Sequence, residues 1–177
     1  MAKKNSSIAK WLGFGAAVLA LVALIMMFLP GLNFTRFNKE ESGSFFKIAF
    51  GGTISENNDL NTKLTFKFNF LTLLSAILII LGLVFAVLAM LKVGNSKLMA
   101  FLAAIVLIAG GILAFCLVGL TSVNYTFNKT TTPYKITEAK NTLVNISDVK
   151  LGIGAILAGV FGILGGVASL GRAVVGK

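Results

Sequence analysis

Six carboxylates, one thiol and no imidazole make up most of what this 177-residue chain could bring to acid–base or nucleophilic chemistry. Glu40 stands next to Glu41, and Glu56 lies close to Asp59, so paired-carboxylate chemistry is the first possibility. Such catalysis needs two acids in different environments, one held protonated by burial. Here both pairs sit in polar, turn-forming sequence, where carboxylates are solvated and ionised. Cys116 is the only cysteine, and it stands in an apolar stretch with no histidine to activate it. No cluster has metal-ligand spacing, and no glycine-rich loop follows a strand to cradle phosphate. The sequence therefore assigns no catalytic residue, no metal site and no cofactor, and it predicts a protein that is not an enzyme.

Four apolar stretches take up about half of the chain: 11–29, 71–91, 98–120 and 151–171. Each is 19 to 23 residues long and lacks charge. A bilayer core of about 30 Å requires roughly 20 apolar residues in a helix. A chain of this length cannot hide four such segments in a soluble core. Hydrophobic residues are 56% of the total and charged residues 12%. Their polar side chains are Thr72, Ser75, Cys116 and Ser169, none of which ionises readily as pumps and proton-coupled transporters require. The net charge of +10 is scattered through loops, so a membrane partner is expected and nucleic acid is not.

Lys3, Lys4 and Lys10 precede the first stretch, but it ends in Phe28-Leu29-Pro30-Gly31 without a small-x-small cleavage site. It is read as a retained helix. With Lys92, Lys97, Arg172 and Lys177, these lysines crowd the short segments 1–10, 92–97 and 171–177. The other basic residues are spread over segments 30–70 and 121–150 at less than half that density. The positive-inside tendency then places both termini in the cytoplasm and the two long loops outside the cell membrane.

The link 92–97 forces the second and third helices into an antiparallel hairpin. The fourth helix has small residues at a 3.5-residue period: Gly152, Ala155, Gly159, Gly162, Gly166 and Ser169. Gly13, Ala16, Ala20 and Ala23 form a matching row on the first helix. Small residues let helices approach closely in lipid, so these two helices are expected to pack together. The long loops alternate apolar and polar residues. Phe46, Ile48 and Phe50 form one set, Leu64, Phe66 and Phe68 a second, and Val123, Tyr125 and Phe127 a third. Alternation predicts half-buried strands, joined by turns at Gly51-Gly52 and Glu56-Asn57-Asn58-Asp59. The expected fold class is an all-α transmembrane four-helix bundle with a small extracellular antiparallel β-sheet drawn from both outer loops, in one domain.

In the two long outer loops four N-x-S/T triplets begin at Asn33, Asn124, Asn128 and Asn145. The abundance of Lys, Asn, Ile and Phe resembles an AT-rich bacterial genome, in which such triplets carry no glycan.

Four helices, inner termini, a short inner link and a long first outer loop with strands resemble the claudin-type tetraspan arrangement. The resemblance covers nearly the whole chain but concerns arrangement alone. The family's Trp and Cys signature in the first outer loop is absent, since Trp11 lies at the inner end of the first helix. No binding or pore residue carries over. The resemblance implies lateral assembly or contact with a membrane-protein partner through the outer sheet, with self-association included. The alternative is an accessory subunit of a multi-chain transporter or channel.

Overall fold

The four apolar stretches form helices, the structure in which a single segment satisfies its own backbone in hydrocarbon. The computed structural model describes residues 2–57, 61–140 and 142–176. Asn58, Asp59 and Lys177, used above in the turn and charge arguments, lie outside the described residues. In chain order the elements are α1 (Ala2–Met26), β1 (Pro30–Arg36), β2 (Lys39–Ser44), α2 (Phe45–Phe50), β3 (Thr53–Asn57) and β4 (Thr62–Phe66). Then come α3 (Phe70–Leu91), α4 (Ser96–Phe115), α5 (Leu117–Leu120), β5 (Ser122–Phe127), β6 (Thr130–Lys135), β7 (Ile146–Leu151) and α6 (Ile153–Val175). Among the described residues four helices are long and apolar enough to cross a membrane: Ser7–Met26, Phe70–Leu91, Ser96–Phe115 and Ile153–Val175. They mark a multi-pass membrane protein. The chain divides into two units, a helical one (Met1–Met26, Leu74–Ala114, Leu157–Lys177) and a β-unit (Met27–Leu73, Phe115–Ile156).

Small side chains bring backbones together in the helical unit. A β-carbon on Gly162 would lie 3.3 Å from the Gly111 Cα and 3.3 Å from the Leu107 carbonyl oxygen. One on Gly111 would lie 2.8 Å from the Gly159 carbonyl oxygen. The row Gly159, Gly162 and Gly166 therefore seats on α4, not on α1. The contact of α6 with α1 runs one residue aside, where a β-carbon on Gly165 would meet the Ala16 carbonyl oxygen at 3.4 Å. Ala16, Ala20 and Ala23 are buried, as is Ser169. Ala155 is buried too, but Gly152 precedes α6 and lies in the β-unit, where its N–H donates to the Gly31 carbonyl at 2.8 Å. The row of small residues thus serves two neighbours, because α6 has glycine or alanine on more than one face. Between α3 and α4, Ser75 Oγ donates to the Gly110 carbonyl at 2.8 Å.

Three expectations need correction. Residues 45–50 are helical, so Phe46, Ile48 and Phe50 do not share a strand face. Ser44 caps that helix by accepting the Lys47 N–H, and Gly51 ends it with φ of 80°. The buried positions Phe45, Ile48 and Ala49 follow helical spacing. Second, the expected single sheet is two: a three-stranded sheet in the order β2-β1-β7 and a four-stranded one in the order β3-β4-β5-β6, all antiparallel. Third, the apolar stretch 98–120 breaks at Cys116, which is exposed. Thr121 Oγ1 accepts no ladder role there and instead donates to the Leu117 carbonyl at 2.7 Å, closing a short separate turn.

A leucine at Gly162 must separate α6 from α4, so Gly162→Leu is expected to cost about 1–3 kcal/mol of stability in detergent. Gly15, whose β-carbon would meet nothing within 4 Å, is the control. Gly15→Leu should leave the unfolding midpoint in place, and equal losses at both sites would refute this packing.

Candidate functional site of the β-unit

The β-unit is built around a core of large apolar side chains. Leu32, Phe34, Phe45, Ile48, Leu64, Phe66, Leu117, Val123, Ile136 and Ile146 are all at most 2% exposed. The Phe34 and Phe66 rings meet edge to face, with centroids 6.2 Å apart, and join the two sheets. Of the nine residues assigned to one apolar sheet face, the structure brings Ile48, Leu64, Phe66 and Val123 into this core. Tyr125 is half-buried. Phe127, Phe68 and Phe50 are exposed. Phe46 is half-buried, stacking on Phe50 and lying 4.9 Å from the Phe28 ring centroid.

Sheet edges are the obvious places for another chain to add a strand, and all four are blunted. The β2 edge carries Lys39, Glu40 and Glu41. The β6 edge contains Pro133, which has no N–H to offer. The β3 edge has a register shift between Thr53 and Ser55 and carries Glu56. The β7 edge bulges opposite Asn33 and Thr35, with Asp148 at φ of 51°.

The turns differ. Phe37 and Asn38 join β1 to β2 with φ of 46° and 63°. That left-handed pair suits Asn or Gly, and a bulky phenylalanine is strained there. Yet Phe37 is 57% exposed, with the Arg36 guanidinium 5.1 Å from its ring centroid. Phe127 precedes the second such turn, Asn128-Lys129, and is also exposed. Leu143, between β6 and β7, is 70% exposed. The pattern of residues singles out neither Phe37 nor Leu143, and it places Phe127 on the apolar sheet face with residues that are mostly buried. A left-handed phenylalanine has no sequence signature; only its φ reveals it.

Polar clefts flank the sheets. One of about 360 Å³ is lined by Glu56, Asn61, Lys63, Thr126, Asn128 and Lys129, and within it Lys63 pairs with Glu56 at 3.3 Å. Another, of about 430 Å³, holds Glu40, Glu41, Asp148 and Lys150. Among the described residues no group of three or more His, Cys, Asp or Glu is placed to hold a metal ion. Asn69, missed in the sequence, is a buried anchor: its Nδ2 donates to the Leu120 carbonyl at 2.7 Å and its Oδ1 accepts the Thr72 N–H.

Phe66→Asp places an unpaired charge between the two sheets and should unfold the β-unit, read as rapid proteolysis across residues 42–70. Lys67→Asp, on an exposed side chain, should leave the protease pattern unchanged. Similar cutting of both variants would contradict the buried position of Phe66.

The four apolar helices and small antiparallel sheets are compatible with a tetraspan fold. No family model, no curated protein and no solved structure matches the chain.

Proposed function

We propose that this chain is a non-enzymatic membrane protein whose β-unit lies outside the cell membrane and makes lateral or partner contacts there, both termini being cytoplasmic. The orientation rests on the crowding of basic residues in 1–10, 92–97 and 171–177. The contact role rests on one observation above all: Phe37 is held exposed in a strained left-handed position. A chain selected for stability alone would place Asn or Gly there. The blunted edges support contact through side chains at the turns, not through strand addition. An accessory-subunit role, in contrast, requires small-residue helix surface left unfilled. Gly162, Gly165, Gly166 and Gly171 all have neighbours from another helix within 4 Å of a β-carbon position, which favours the first reading.

Photo-crosslinking residues placed singly at Phe37, Phe127 and Leu143 should give discrete protein adducts in intact cells. The same residue at the exposed helix positions Val18 and Ile105 should not. Phe37→Gly should relax the turn, keep or raise thermal stability and reduce the adducts formed at Phe127. Adducts from Val18 or Ile105 alone would turn the assignment over to the accessory-subunit reading.

A further inference from the structure

The helical unit contains no carboxylate side chain. Among the described residues the acids Glu40, Glu41, Glu56, Glu138 and Asp148 belong to the β-unit, whereas Lys3, Lys4, Lys10, Lys92, Lys97 and Arg172 belong to the helical one. Two of these cations, Lys10 and Lys92, line a cleft of about 430 Å³ between the N-terminal part of α1 and the end of α3. Its other walls are Ser7, Trp11, Phe14 and Met90. Trp11 is 72% exposed, and the Phe14 ring meets it edge to face. Apolar rings beside two lysines at a helix end match an amphipathic anion and not a soluble one.

The backbone at Lys92 points the same way. The Lys92 N–H donates to the Ala89 carbonyl and the Val93 N–H to the Leu88 carbonyl, each at 3.1 Å. This is the helix stop in which glycine normally takes the left-handed position. Here that position is Lys92, with φ of 57°. Glycine would suit the backbone better, and the position instead carries a lysine that lines the cleft. The walls are fixed by Arg172, which fills the space beside Gly13. Its guanidinium donates to the Ala9 carbonyl at 3.5 Å and to the Ala89 carbonyl, tying α1 and α3 to α6. Arg172 is consumed by this bracing, while Lys10 and Lys92 remain exposed and take part in neither ion pair found among the described residues.

We propose that this cleft seats an anionic phospholipid, its headgroup phosphate between Lys10 and Lys92 and its acyl chain against Trp11, Phe14 and Met90. The site is independent of the contact role of the β-unit.

Trp11 is the only tryptophan, so its fluorescence reports on this cleft alone. The full chain in nanodiscs of phosphatidylcholine would be titrated with brominated phosphatidylglycerol or brominated phosphatidylcholine. Quenching should favour the anionic lipid by about fivefold or more, the ratio that one basic residue near an anionic surface supplies. Lys10→Gln with Lys92→Gln should abolish the preference. Lys92→Gly should weaken it while the thermal midpoint stays or rises, which separates ligand loss from misfolding. Lys97→Gln, outside the cleft, should keep it. Inorganic phosphate at matched ionic strength should not relieve the quenching. Equal quenching by both lipids, a preference that survives loss of both lysines, or displacement by inorganic phosphate would each overturn the proposal.

Discussion

Lipid removes the hydrophobic force between helices, and what remains is contact between backbones close enough for van der Waals attraction. In the helical unit that constraint is met where α6 lies on α4. Gly162 faces Gly111 and the Leu107 carbonyl, Gly166 faces Ile108 and the Ala104 carbonyl, and Gly111 faces the Gly159 carbonyl. With glycine on both sides of the gap, no side chain holds the helices apart. The remaining packing follows from it. Once α6 is seated on α4, its adjacent face offers Gly165 to α1, and an alanine cluster of Ala16, Ala17, Ala86 and Ala103 fills the core with little volume.

Close packing of small residues leaves no room for a buried charge to find an ionised partner, and this unit has no acid to provide one. Arg172 is nonetheless only 7% exposed. Its guanidinium turns to two backbone carbonyls, those of Ala9 and Ala89, which is possible because a carbonyl oxygen has two lone pairs. Ala89 illustrates this by accepting both the Lys92 N–H and the Arg172 guanidinium. Gly13 makes the arrangement possible, because any side chain there would occupy the guanidinium's place. Gly13 therefore belongs to an arginine pocket as much as to the row of small residues from which it was first singled out.

The long elements were legible because their signal is long. Four uncharged stretches near 20 residues admit few interpretations, and their positions agree with the helices to within a few residues at most ends. Short elements were less so. In Phe46-Lys47-Ile48-Ala49-Phe50 alternation and helical spacing coincide over five residues, and only the Ser44 cap and the Gly51 stop separate the two. Both signals stand in the sequence, but Gly51-Gly52 reads equally well as a turn between strands. The break at Cys116 left no mark, since apolar residues continue on both sides. Arg172 looked like a terminal charge because it follows the last apolar residue, and its burial arises from α1 and α3, far away in the chain. The left-handed Phe37 and Lys92 were equally hidden, for side-chain type does not announce a positive φ where glycine is absent.

Among the described residues Phe37, Lys92 and Lys129 hold left-handed positions that glycine would hold at lower strain, and all three are exposed. The helical unit itself depends on α4 and α6 being set at backbone distance. The most direct measurement is a double-mutant cycle in which Gly111→Ala and Gly162→Ala are made singly and together, with unfolding free energies measured in bicelles. Two methyl groups entering one gap should interact, giving a coupling of about 0.5 kcal/mol or more. Strict additivity would mean that these glycines do not face each other, and would contradict the arrangement of α4 and α6.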